Sequence, residues 1–183
     1  MLYLKWFLMG FISIPVNILA KLFCWVFPFF VQEETKRLPK WLDWFMTPNS
    51  SADGDPAHQQ RHPGTSWWAT YKRRTAWFWR NSAYGFDRKV LGVEVYEEDV
   101  MKVKGNPNAN RRPYIPGTCM RKLYSKDGKF KAWFYYFVKP WPFGLFPKRC
   151  IRGSIGWKLW CKESQGKGIA MWTGMINPFF HRD

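Results

Sequence analysis

The sequence predicts an α+β protein. It should open with a hydrophobic, membrane-type helix or helical hairpin, then place an aromatic amphipathic helix on an antiparallel β-meander of about five strands. Three observations carry this reading. Residues 6–31 form an apolar run interrupted by Pro15, Asn17 and Lys21. Residues 66–81, SWWATYKRRTAWFWRN, repeat aromatic side chains at helical spacing. From Val90 onward, short alternating runs are separated by Pro, Gly and Asp-Gly.

The apolar run comes first. As one helix, residues 6–31 would extend about 39 Å, enough to cross a bilayer core of roughly 30 Å with tilt. A signal peptide would end in a small-residue cleavage site, and Ala20 has Ile18 two positions before it. Pro15 is expected to kink the helix, and Lys21 must snorkel or face protein. A tilted span, a re-entrant hairpin and a buried core helix are the competing shapes. Trp6, Phe11, Lys21, Trp25 and Phe30 are the residues expected to meet the membrane. Lys36, Arg37 and Lys40 follow the run and only Lys5 precedes it, which puts the body in the cytoplasm by the positive-inside rule. The domain organisation expected is a membrane-associating segment at 1–31, a Trp-rich junction and polar loop at 32–65, and a basic body at 66–183. Deleting residues 1–31 is expected to leave that body folded.

In the junction, RLPKWLDWFMTP reads as a short helix ended by Pro48. In the helix at 66–81, Ser66 is the expected N-cap. Trp68, Tyr71, Thr75 and Phe78 form the packed stripe, with Trp67 and Trp79 beside it. Lys72, Arg73, Arg74 and Arg80 share the remaining surface and are the candidates for contact with an anionic surface. The expected strands are VLGVEVY, CMRKLY, KFKAWFYYFVK, RCIRGSIGWKLWC and GIAMWTGMI, with Asp127-Gly128 closing a hairpin. The loops between them are KGNPNANRRPYIPG and KPWPFGLFP. Glu94, Glu97, Glu98 and Asp99 form one acidic cluster, expected as a solvated strand end.

Composition bounds the partners. Aromatic residues make up 20% of the 183, so a sizeable core is available to a short chain. The formal charge of +16 implies an anionic partner: a lipid surface, an acidic protein or nucleic acid. No stacking platform of known spacing supports specific nucleic-acid recognition. Cys24, Cys119, Cys150 and Cys161 include no C-x-x-C pair, and reduced thiols are expected.

One stretch, TPNSSADGDPAHQQRH at 47–62, has the residue types of a metal or catalytic loop. His58 and His62 have the spacing of a zincin helix, but Gln59 stands where the general base is required. Pro56 and Pro63 bracket the segment and argue against a helix. Asp53-Gly54-Asp55 resembles part of a calcium loop without its terminal glutamate. These residue types dominate turns, so a turn is expected, with positive φ at Gly54 and histidines that can be removed at little cost. The closing His181-Arg182-Asp183 matches a kinase triplet by chance, since no glycine-rich loop accompanies it. No cofactor or bound metal is expected.

The segments LPKWLDWFMTPNSSADGD, AWFWRNSAYGFD, GSIGWKLW and INPFF resemble the signature segments of an uncharacterised family of small tailed-bacteriophage and prophage proteins. Those proteins have a hydrophobic N-terminus, Trp-rich segments and a Thr-Pro…Asp-Gly-Asp loop. The resemblance covers 38–87 and 149–180, and departs at Asn49, where the family loop has an acid. It implies a phage origin and a bacterial host, and no activity.

The function expected is therefore a phage-encoded, membrane-anchored, non-enzymatic binding protein at the host inner membrane, contacting anionic lipid and a host or phage protein. The alternative is a minor virion component meeting DNA or other virion proteins. A metal-dependent hydrolase using Asp53, Asp55 and His58 is a distant third.

Overall fold

A computed structural model describes residues 1–111, 114–160 and 168–182, the side chain of Arg111 excepted. The protein is α+β. Its chain divides into two compact units, residues 7–91 and residues 1–6 with 92–183.

Helix α1 (Leu2–Leu22) begins in the second unit and continues into the first. It runs through Pro15 without ending. Its 21 residues extend about 32 Å. The apolar run then turns into a 3-10 helix at Phe27–Phe30. Within residues 7–91, Ala20, Cys24, Phe27 and Val31 are buried. Phe27 stacks on Phe45 with centroids 4.7 Å apart and meets Phe78 edge-on at 5.4 Å. Residues 1–31 thus supply side chains to this core.

A second 3-10 helix, Lys40–Phe45, ends before Pro48 as the sequence indicates, burying Leu42 and leaving Trp41 and Trp44 exposed. Helix α2 (Pro56–Arg61) occupies the polar loop and corrects the reading of its prolines. Pro56 stands in the first turn, where a missing N–H costs nothing. Asp55 caps it, its carboxylate accepting from His58 N at 2.7 Å. Helix α3 (Trp67–Arg80) starts at Ser66, whose Oγ accepts from Ala69 N at 3.2 Å. Asn81 closes it by donating from Nδ2 to the Trp77 carbonyl at 3.1 Å. Its buried residues are Arg74, Trp77 and Phe78, while Trp67 and Trp68 are exposed, so the expected packed stripe is rotated. Helix α4 (Tyr84–Lys89) packs on the Lys40–Phe45 turn.

The other unit is built on a five-stranded antiparallel sheet of order β2-β5-β6-β7-β9. Its strands are β2 (Val100–Gly105), β5 (Gly117–Tyr124), β6 (Phe130–Pro140), β7 (Arg149–Trp157) and β9 (Trp172–His181). The strand expected at 90–96 is reduced to β1 (Val93–Glu94), which pairs with β8 (Ile169–Ala170), and the sheet's first strand is 100–105 instead. A small hairpin, β3 (Asn110–Arg111) with β4 (Tyr114–Ile115), lies in the expected loop. The β5–β6 turn is the predicted one: Gly128 has φ +78° and Ser125 N donates to Lys129 O at 2.8 Å. Along central β6, Ala132, Phe134, Tyr136 and Val138 alternate into the core, as a period of two requires.

Trp6 packs on the other face of the sheet, where the odd position Trp133 of β6 points. Its ring stacks on Trp172 with centroids 5.6 Å apart and meets Trp133 edge-on at 5.5 Å. Trp6 Nε1 donates to Thr173 O, and Trp172 Nε1 donates back to Trp6 O, both at 3.1 Å. Asp99 is buried, accepting from Tyr96 N at 2.9 Å and Lys131 Nζ at 2.6 Å, which corrects its expected solvation. Cys24, Cys119 and Cys150 are buried. Cys161 and the end of its expected strand lie outside the described residues.

Candidate membrane-binding face

Helix α1 packs the wrong way round for a helix in water. A soluble amphipathic helix buries its large apolar side chains. Here the buried positions are Gly10, Ser13 and Ala20, one stripe at helical spacing, with Asn17 half-buried beside it. Phe7, Leu8, Phe11, Ile14, Ile18 and Leu22 are each more than half exposed. Only 11% of the most apolar window of α1 is buried, whereas the core helix of a soluble protein is mostly buried. The helix is long and apolar enough to cross a membrane.

The stripe is held by polar contacts. Ser13 Oγ donates to Asp87 Oδ1 at 2.7 Å, and Asn17 Nδ2 donates to Asp87 Oδ2 at 3.0 Å. Ser82 Oγ donates to Asn17 Oδ1 at 2.9 Å. Small residues let a helix approach its neighbour closely, and polar groups fix its rotation, as in packing between helices in lipid. Sequence reading missed Ser13 and Asp87. Two polar residues four apart in an apolar run, Ser13 and Asn17, were the available signal.

Beyond α1, the same unit exposes a cluster of aromatic rings. Trp67, Trp68 and Tyr71 stack on one another with centroids 5.3–6.0 Å apart. Phe29 packs against Tyr71 at 5.3 Å, and Tyr71 Oη donates to the Trp25 carbonyl at 2.9 Å. Phe30 and Trp41 meet edge-on at 5.6 Å. Cations lie over rings nearby: Lys21 over Trp79 at 5.4 Å, Lys72 over Trp68 at 5.7 Å, and Arg80 over Trp77 at 5.5 Å. Exposed Trp and Tyr accompanied by Lys and Arg suit the headgroup layer, which is wet on one side and apolar on the other. Of the residues expected at the membrane, Phe11, Trp25 and Phe30 are exposed, Lys21 is exposed beside Trp79, and Trp6 packs on the sheet.

The four candidate cations separate into two pairs. Lys72 and Arg80 are exposed. Arg74 is 5% exposed, with Nε donating to Asp53 at 2.9 Å and Nη1 to Glu33 at 2.6 Å, which corrects its expected place on a solvated face. Burial works against its charge, but the carboxylates of Glu33 and Asp53 outweigh it and raise its pKa. Hydrogen bonds from Arg74, then Lys36, hold Glu33 down at about 2. Arg73 donates to the Gly64 carbonyl at 2.9 Å and lies 3.4 Å from Asp53.

The residues of the polar loop are brought together, but for structural work. Asp53 pairs with Arg73 and Arg74, and Asp55 caps α2. Gly54 has φ +84°, as the turn reading requires, and an added Cβ would come within 2.6 Å of the His58 ring and 2.7 Å of Trp77. His58 is buried and its Nε2 donates to the Arg73 carbonyl at 2.9 Å, since that oxygen can only accept. Burial lowers the His58 pKa, with smaller contributions from the charges of His62, Arg80 and Arg61. The His62 ring lies tilted against it, centroids 4.5 Å apart. His58 is thus buried, where an exposed turn residue is expected. Among the described residues, no group of three or more His, Cys, Asp and Glu side chains is placed to hold a metal ion.

A family model described as a family of unknown function (DUF7338) matches residues 1–183. No curated protein and no solved structure matches the chain.

Proposed function

Since the chain belongs over its whole length to this family of unknown function, we propose its role from the geometry: a membrane-associated, non-enzymatic binding protein held on the bilayer by α1 and the aromatic cluster around it. One observation carries the reading, the inverted packing of α1, whose small and polar stripe faces protein while its large apolar residues face out. Moving each half-exposed Phe, Ile or Leu from water into acyl chains is worth on the order of 1 kcal/mol, so six of them give several kcal/mol. That is enough for stable attachment when cations add attraction to anionic headgroups. Lys21 stands in the last turn of α1, where its long side chain can reach the headgroups and its charge complements the helix dipole.

For the setting we take the host inner membrane of an infected bacterium, on the resemblance of the motifs to tailed-phage proteins. Lys36, Arg37 and Lys40 support a cytoplasmic body.

Flotation with lipid vesicles, combined with carbonate extraction of cell membranes, tests the reading. The native chain should float and resist extraction. The Ile14→Gln, Ile18→Gln variant should lose at least roughly tenfold in partitioning, with an unchanged near-ultraviolet spectrum. A native chain that stays soluble and monomeric without detergent overturns the proposal, and co-purification with intact particles instead of membranes favours the virion reading.

A further inference from the structure

The sheet unit carries an apolar projection of its own. Between β6 and β7 the chain reads KPWPFGLFPKR, residues 139–149. A 3-10 turn at Pro142–Gly144 brings Phe143 to the tip, 98% exposed, with Leu145 54% and Phe146 51% exposed. Phe143 has φ +57° and Phe146 φ +53°. Bulky residues avoid this left-handed region, and such outliers persist only where surrounding structure holds them. The base of the loop supplies that hold. Trp141 Nε1 donates to the Pro178 carbonyl at 2.8 Å, and the rings of Trp141, Phe146 and Phe179 pack together with centroids 5.3–5.8 Å apart. Arg149 Nη1 donates to the Phe179 carbonyl and Arg182 Nη1 to the Pro147 carbonyl, each at 2.9 Å. The strained backbone thus directs large apolar groups into water from a braced base, the reverse of what folding alone would select.

We propose that this loop is a second membrane contact, inserting Phe143 and Leu145 into the interfacial layer of an anionic phospholipid bilayer. Two features select that occupant. The tip is a projection, whereas a peptide or small ligand is taken by a groove. Its flanks are cationic, with Lys139, Lys148 and Arg149 and no acid anywhere in 139–152. An apolar tip within a cationic collar matches acyl chains beneath anionic headgroups. The proposal takes its setting from the membrane reading above, but rests on different residues in a different unit.

The test places a reporter at the tip of the full-length chain. Phe143→Cys is labelled with an environment-sensitive fluorophore, and the native chain taken through the same labelling gives the background from its own cysteines. Both are mixed with phosphatidylcholine vesicles, with and without phosphatidylglycerol. The label should shift to the blue and be quenched by nitroxide-bearing lipid only when phosphatidylglycerol is present. The Phe143→Asp, Leu145→Asp variant, which touches only exposed positions, should lose roughly tenfold in affinity for the anionic vesicles and little for the neutral ones. A chain that floats while its label stays in water overturns the loop contact alone. Equal burial in neutral vesicles overturns the choice of an anionic surface. Failure to float with either vesicle overturns both this proposal and the membrane reading of α1.

Discussion

The hydroxyl of Ser13 donates to the Asp87 carboxylate across 2.7 Å, and both residues are buried. A buried carboxylate needs its donors, and Asn17 supplies another to the second oxygen. Ser13→Ala should therefore cost about 1.5–3 kcal/mol, the range for removing a hydrogen bond to a charged group. Ser13→Val should cost more, because the site also needs a small side chain. Chemical denaturation of the detergent-solubilised protein, with its midpoint compared at constant slope, measures both. An unchanged midpoint in Ser13→Ala would show that the contact does not hold the stripe.

His58 and His62 should separate on mutation. His58→Ala loses a buried ring and the partner of the Arg73 carbonyl, at about 1–3 kcal/mol. His62→Ala, less buried, should fall within about 0.5 kcal/mol. The depressed His58 pKa adds a pH dependence. Because the folded value lies below 6.5, the unfolded chain takes up the proton first as pH falls. Stability is therefore full above 6.5, declines below it, and levels off once the pH passes the folded value. A thermal-melt series across that window should show the decline in native protein and lose it in His58→Ala.

Gly54→Ala should destabilise by about 1–3 kcal/mol, through positive φ and the encroachment on His58 and Trp77 together. It should exceed His62→Ala in any unfolding assay.

The cations of α3 should divide by role. Arg74→Ala strips Asp53 and Glu33 of a partner and should cost about 3 kcal/mol, at the lower end for a broken buried pair because Glu33 is largely exposed. Lys72→Glu with Arg80→Glu should leave the melting temperature within a few degrees, yet reduce retention on anionic vesicles, most clearly at low salt.

Much of the architecture was legible because it rests on local chemistry. Ser66 caps the helix it precedes, Asn81 closes it, and Asp127-Gly128 turns the chain between β5 and β6. Such signals need only neighbours in sequence. The rotation of α3 was not legible, since an aromatic residue is compatible with either face and Trp67 and Trp68 went outward. Arg74 read as a surface cation because its partners, Glu33 and Asp53, lie 41 and 21 residues away. Pro56 reads as a helix breaker by residue type but is a helix starter, a distinction set by its position behind the capping Asp55. The apolar face of α1 was recognised by composition, but which residues hold it to protein depended on Asp87, 74 positions from Ser13.

The paired tryptophans of the sheet unit bear on the order of events during synthesis. Trp6 leaves the ribosome 166 positions before Trp172, to which it is bonded. At bacterial elongation rates the interval is on the order of ten to thirty seconds. For all of that time the first turn of α1 lacks the partners it will have in the finished sheet, while its outward residues are already available to any apolar phase. Exposure and closure are thereby placed in sequence: the outward face of α1 is made first, and closure of the sheet around Trp6 waits until Trp172 has emerged.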